Sequence, residues 1–355
     1  MIALAQLMRH YQADLINSYQ SVMQSRHYAA MQSIIDCHTP ASGELQYHCT
    51  PCQQHQHFYH SCGHRSCPAC QHQTNNQWLD RQRKKLLPLH YYMVTFTLPY
   101  QLRGFVWHHQ KWAYQTLFEV AVQTLSSFAH NDQKLGDELG LTGVLHSHSR
   151  QLNFHPHVHF IVPGGGLTKN HRFFKRKAGK YLFNGIALSK VFRGKFIAVM
   201  KQKGFSLPLN TPKDWVAQCE YVGKGESALT YLARYLYRGV ISEQNIMKHD
   251  NGMVTFQYKD SQSKQWKTRT ESAVEFLWLV LQHVLPKGFR RVRDYGFLHG
   301  NAKRILQRLQ LILKVTVPEI EMKPRKEHNC PCCGLEMQVI RFIRPKPRSL
   351  GLTRI

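Results

Sequence analysis

Between positions 155 and 166 the chain reads His155-Pro156-His157-Val158-His159-Phe160-Ile161-Val162-Pro163-Gly164-Gly165-Gly166. Side chains alternate along a strand, so the three histidines can project from one face while Val158, Phe160 and Val162 project from the other. An imidazole pair held this way clamps a divalent cation. Imidazole suits transition metals and admits Mg or Mn when oxygen ligands complete the shell, so the pair does not name the metal. A histidine-rich surface strand would read alike. The apolar spacers and the three glycines, which admit a phosphate or a second backbone, favour a site. The segment Gly143-Val144-Leu145-His146-Ser147-His148 precedes this one across a polar turn at 150–153. If the two form a hairpin with an even-length loop centred between Gln151 and Leu152, His146 faces His157 and is the first choice for a third ligand. A one-residue slip would turn it away and leave His148 or His155.

A second constellation follows. Gly225-Glu226-Ser227, then 228–238, then Gly239 reads as a helix with Ser227 as N-cap and Gly239 just beyond its end. Leu229, Leu232, Ala233 and Leu236 follow the spacing of one helical face, and Tyr231, Arg234, Tyr235 and Arg238 that of the opposite face. A phenol, with a reference pKa of about 10, becomes a useful nucleophile only where positive charge stabilises the phenolate. Arg234, Arg238, Lys224 and a bound dication would supply that charge. Two phenols one turn apart could then attack phosphate esters along one backbone. Taken without the histidines, the pair would read as amphipathic packing.

The cysteines form a third. Cys37, Cys49-x-x-Cys52 and Cys62-x4-Cys67-x-x-Cys70 suit one or two tetrahedral zinc sites, and so polar a segment needs such a staple to fold. Cys330-x-x-Cys333 is a half site, to be completed by Cys332 or His328, by the N-terminal module, or not at all.

The elements that must position these groups follow from the patterning. Residues 1–36 read as a helical leader, 37–88 as a zinc-binding domain with a linker at roughly 71–90, and 89–320 as a second domain that carries the histidines and the tyrosines. Residues 321–355 are a knuckle-like segment with a flexible basic tail from Arg341. The strand Tyr92–Pro99 opens the second domain, a helix over 105–130 packs on its sheet, and an apolar helix over 271–284 is buried. Lys and Arg outnumber Asp and Glu by 47 to 21, for a formal charge of +26, which implies a polyanionic partner and makes nucleic acid the leading one. Lys169, His171, Arg172, Lys175, Arg176, Lys177 and Lys180 interleave with Phe173, Phe174, Tyr181 and Phe183, as a single-strand binder would arrange phosphate contacts and stacking rings. No apolar run is long enough to span a membrane, and 1–7 is too short for a secretory signal, so a cytoplasmic protein is expected.

His157-Val158-His159 with Pro163-Gly164-Gly165-Gly166, together with Tyr231-Leu-Ala-Arg-Tyr235, resembles the two-tyrosine HUH transposases of rolling-circle elements, the insertion sequence 91 family. The likeness takes in Ser61 to Cys70, Phe96 to Pro99, Val144 to His146, Val254 to Asp260, His283 to Phe289 and Tyr295 to Leu298. The chain departs from the family at Gly63-His64-Arg65 and at His148, where the family has an aromatic.

The resemblance implies an α+β fold, an HUH endonuclease domain with a central antiparallel sheet and flanking helices, preceded by a small zinc-binding domain. It implies a DNA-binding single-strand endonuclease and strand transferase that acts in DNA recombination and transposition. Tyr231 and Tyr235 would be nucleophiles forming a 5′-phosphotyrosine link, with His157, His159 and His146 as ligands of catalytic Mg or Mn. Structural Zn would sit on Cys37, Cys49, Cys52, Cys62, Cys67 and Cys70. The expected partners are single-stranded DNA at transposon ends, with an oligomer and the host replication machinery as further candidates, in the bacterial nucleoid. The alternatives are a rolling-circle replication initiator, a relaxase, or a non-catalytic zinc DNA-binding regulator.

Overall fold

Five segments of the chain pair into one sheet in the computed structural model, which describes residues 2–227, 229–230, 240–260, 262–318 and 328–345. They are β1 (His90–Thr97), β2 (Leu141–His148), β3 (Phe154–Pro163), β4 (Val216–Lys224) and β5 (Val292–Tyr295). The order is β5-β2-β3-β1-β4, and every neighbouring pair is antiparallel. The fold is α+β, with helices flanking this sheet.

Strand alternation divides the work of the two faces. Tyr92, Val94, Phe96, Leu145, Val158, Phe160 and Val162 are buried on one face, under α1 (Gln110–His130) and α2 (Gly185–Gln202), which contribute Leu117, Phe118, Phe192 and Phe196. On the other face Tyr91, Met93, Val144 and Ile161 join Trp78, Leu87, Leu229 and Leu309 in a second core. Further along that same face the apolar residues give way to Thr95, His146, His157 and His159, which the register brings side by side. β3 lies between β2 and β1, so its backbone is paired on both sides.

The three glycines after β3 answer to packing. A Cβ on Gly166 would stand 2.7 Å from the carbonyl oxygen of Gly136, and one on Gly165 would stand 2.5 Å from the Phe174 ring. Of the two close neighbours that sequence allows there, a phosphate or a backbone, Gly166 has the backbone.

The chain separates into two compact units. One comprises Asn76–Tyr237 with Leu285–Pro318 and contains the sheet; the other comprises Met1–Asn75, Arg238–Val284 and Glu319–Ile355. In the latter, helices Leu4–Tyr19 and Ser25–Asp36 pack with Ala273–Leu281, where Tyr19 stacks on Trp278 at 4.8 Å. A meander of Ile246–Asp250, Met253–Lys259 and Trp266–Ser272 leads into that third helix, whose first turn is capped by the Ser272 hydroxyl accepting from the Glu275 N–H. The same unit holds a three-stranded sheet in the order Gln338–Ile343, Glu44–Cys49, Gln54–Tyr59.

Four expectations change. The stretch 71–90 is largely a helix, Gln71–Arg83; it is too polar to show a helical stripe, and Trp78, 5% exposed, anchors it in the second core. The helix expected over 105–130 breaks at His109, with Arg103–His108 before it and α1 after. Residues 341–343, expected in a flexible tail, are paired strand. The helix expected from a Ser227 cap is helical already at 226, and the Ser227 hydroxyl donates back to the Lys224 carbonyl at 2.9 Å. Among the described residues no helix is long and apolar enough to cross a membrane.

Candidate functional site

The polar end of the second sheet face is built by register. β2 and β3 pair with His146 opposite His157 and Val144 opposite His159. The loop differs from the even-length one expected: a bulge beyond His146 shifts the pairing to His148 opposite Phe154, so five residues, 149–153, close the hairpin while His146 keeps its expected partner. Thr95 of β1 stands opposite His159 on the other side. One ligand atom from each of His146, His157 and His159 falls within 4.8 Å of the others. Neither His148 nor His155 joins the group. The His148 ring lies 5.9 Å from that of His146, and Nδ1 of His155 accepts a hydrogen bond from Arg103 at 2.7 Å.

The second nitrogen of each ring tests whether this triad suits a cation. His157 Nδ1–H donates to the His155 carbonyl at 2.7 Å, which fixes the tautomer and leaves Nε2 with a free lone pair. His159 Nδ1 is 2.8 Å from the Thr95 hydroxyl, so it too is oriented from behind. His146 Nε2 is buried with no hydrogen-bond partner. A buried polar atom left unpaired is costly, and a shared cation would satisfy it. Burial, before all else, holds the His146 and His157 imidazoles well below their ordinary value near 6.5. The neighbouring rings and Arg291 push the same way, and His159 is brought down to about 4 by burial and then by Arg291. All three are therefore neutral near pH 7, the form that ligates a metal. The donor set fits a divalent cation.

Two neighbours of the triad carry weaker sequence signals. Thr95 sits in a strand whose pattern announces only a core, and its hydroxyl role follows from its place opposite His159. Arg291 lies in a basic run with Lys287, Arg290 and Arg293; its Nε donates to the Leu145 carbonyl at 3.1 Å, which holds it beside the histidine strands.

Of the expected nucleophiles and phosphate contacts, Tyr231, Tyr235, Arg234 and Arg238 lie outside the described residues. Lys224 is exposed at the end of β4, immediately before the helical residues 226–227. In the basic aromatic stretch, Phe173 and Tyr181 are exposed, and Lys175, Arg176, Lys180 and Tyr181 line a surface groove of about 670 Å³. Lys177 is engaged within the fold, bonded to Asp132 and to the Leu182 carbonyl.

The six clustered cysteines do not act as one set. Cys37, Cys62, Cys67 and Cys70 meet at one point, whereas Cys49 and Cys52 meet Cys330 and Cys333 at another. The first cluster shows what four thiols do to one another. Its Cys62 is lowered to about 5, first by the Cys67 side chain, while Cys67 is pushed far up, first by Cys62, and Cys37 rises to about 12, first through burial. One thiolate forms and its neighbours resist a second charge, which a dication would relieve.

Two family models match this chain. One, described as "Transposase zinc-binding domain", matches residues 6–98, and the other, described as "Putative transposase", matches residues 140–305. The first span contains the Cys37 cluster, whose four thiols suit the structural zinc of such a domain; the second contains β2, β3 and the three histidines. A protein of Sinorhizobium fredii titled "Putative transposase y4qJ" is 30% identical over 370 residues, covering 90% of this chain and 92% of that one. The "Transposase for insertion sequence element IS801" of Pseudomonas savastanoi pv. phaseolicola is 25% identical over 340 residues, covering 86% and 81%. With likeness that runs from the zinc-binding module through the histidine hairpin, this chain belongs to the insertion sequence 91 family of transposases.

Proposed function

We propose that this DNA-processing enzyme nicks and rejoins single DNA strands at transposon ends, in rolling-circle fashion, through a 5′-phosphotyrosine on Tyr231 or Tyr235. His146, His157 and His159 would hold Mg or Mn. The observation that carries this reading is the convergence of three neutral imidazoles, two tethered through Nδ1 and the third with a buried, unpaired Nε2. When bound, the dication would polarise a non-bridging oxygen of the scissile phosphate and offset the charge gathered in the displacement.

The chain's own residues do the rest. A phenolate oxygen attacks phosphorus, the bond from phosphorus to O3′ breaks, and the departing oxygen takes up a proton to become a free 3′-hydroxyl. A phosphodiester is replaced by a phosphotyrosyl ester, so the reverse attack by a 3′-hydroxyl rejoins DNA without an external energy source. The second tyrosine permits a second transfer before the first link is resolved. Lys224, Arg234 and Arg238 supply cations for the phenolate and the flanking phosphates. The groove at Lys175, Arg176, Lys180 and Tyr181 offers cations with an exposed ring, which suits unpaired bases on bacterial nucleoid DNA, with the host replication machinery filling the strand left behind.

Incubation of the purified protein with labelled single strands bearing the element's ends, with Mg or Mn, tests this on a denaturing gel. A covalent protein–DNA adduct is expected, and it disappears in the Tyr231→Phe, Tyr235→Phe double variant. Retarded DNA without any adduct would reduce the protein to a zinc-stabilised binder.

A further inference from the structure

Cys49 and Cys52 lie inside the matched zinc-binding region, but Cys330 and Cys333 lie outside both matched regions. We propose that these four thiols form a second zinc site, a tetrathiolate shared by segments 284 residues apart, which makes 328–345 a working part of the zinc-binding domain. The sulfurs lie within 4.8 Å of one another, with Cys49 and Cys333 at 3.5 Å. A tetrahedral centre with Zn–S bonds of about 2.3 Å spaces its sulfurs by about 3.8 Å. A disulfide would need about 2.05 Å between two of them, so the arrangement is a four-way convergence and not two pairs.

The two arms share one construction. In Cys49-Thr50-Pro51-Cys52-Gln53 and in Cys330-Pro331-Cys332-Cys333-Gly334, the residue after the second cysteine is left-handed, Gln53 at φ 54° and Gly334 at φ 73°. The Gly334 N–H donates to the Cys330 carbonyl and the Cys330 N–H to the Leu335 carbonyl, both at 2.8 Å, closing the second turn tightly. Strands Glu44–Cys49 and Gln54–Tyr59 flank the first arm, and a bridge from Asn329 to Glu336 flanks the second.

The C-terminal arm is also held by pairing. Gln338–Ile343 lies antiparallel to Glu44–Cys49, and the approach is close enough that a Cβ on Gly43, at φ 81°, would meet the Ile343 carbonyl oxygen at 2.5 Å. The apolar cluster around the thiols consists of Cys49, Cys330 and Met337 with Tyr47 and Cys52 against it. So small a core does not fold unaided. Two nearby candidates are otherwise placed: the His328 ring packs on Phe58 at 4.1 Å and Tyr47 at 4.7 Å, and Cys332 is exposed and outside the cluster.

Elemental analysis of the full-length protein tests the assignment. The wild type should carry two zinc ions per chain. Cys49→Ser and Cys330→Ser should each carry one, and the double variant also one, because both residues serve the same ion. Two ions in Cys330→Ser, or fewer in the double variant than in both singles, would overturn the shared site. If serine at either position unfolds the domain and strips both ions, cobalt loading of Cys333→His and Cys333→Ser decides. An imidazole at 333 should preserve two cobalt equivalents, with a weaker thiolate charge-transfer band than wild type, and the serine variant should not. Identical cobalt content and spectra for those two variants would sink the proposal.

Discussion

At the scale of single residues, the triad depends on what stands behind each ring. His157 is oriented by a backbone carbonyl that no substitution removes, whereas His159 is oriented by the Thr95 hydroxyl, which is 6% exposed. Losing such an outer partner typically weakens metal binding by 10- to 100-fold. Thr95→Val keeps the shape and deletes the hydroxyl. We expect Mn affinity, followed by titration calorimetry, to fall by roughly one to two orders of magnitude with little change in thermal midpoint. Wild-type affinity in that variant would mean that the hydroxyl does not orient the ring. The sequence exposed the donors but not this support, because a threonine in an apolar strand carries no signal until the register sets it opposite a histidine.

At the scale of elements, helix Ser25–Asp36 is closed at its start by the Gln24 N–H donating to His27 Nδ1 at 2.9 Å. An accepting nitrogen must be unprotonated. Burial, then the charge of Arg26, lowers His27 to about 3, against 6.5 when exposed. In the unfolded chain the ring takes up a proton below about pH 6.5, while in the fold it stays neutral. Its contribution is therefore complete above 6.5 and drains away as the pH falls toward 3, by about 1.4 kcal/mol per pH unit at most. Denaturant midpoints measured from about pH 7 to 5 should fall less steeply in His27→Gln than in wild type. Equal slopes would free His27 from this role. Elements with a strong local code were legible: the apolar run at 273–281 gives a buried helix, and the histidine segments pair as a hairpin with His146 opposite His157, although a bulge beyond His146, which no local pattern announces, makes the loop odd-length. The helix Gln71–Arg83 was not, since its single large apolar anchor, Trp78, cannot be told from a linker tryptophan without the core that receives it. Cysteine spacing announced metal-binding thiols but not their division into two clusters, because thiols brought together across 284 residues are grouped by the fold and not by any local pattern.

For the whole molecule, 47 cationic against 21 anionic side chains set the terms of DNA binding. If six to ten phosphates of a single strand are neutralised, released counterions make affinity fall by about 10²·⁵ to 10⁴ between 50 and 200 mM salt. Single-strand binding measured by anisotropy across that range should show this slope, and a flat response would contradict a phosphate-led interface. The shared thiolate site has a consequence for how the protein is made. A ribosome releases Cys49 and Cys52 long before Cys330 and Cys333, so the module translated first is finished last. A nascent or prematurely terminated polypeptide that stops between residues 52 and 330 therefore carries an open half-clasp whose paired strand, Gln338–Ile343, is missing.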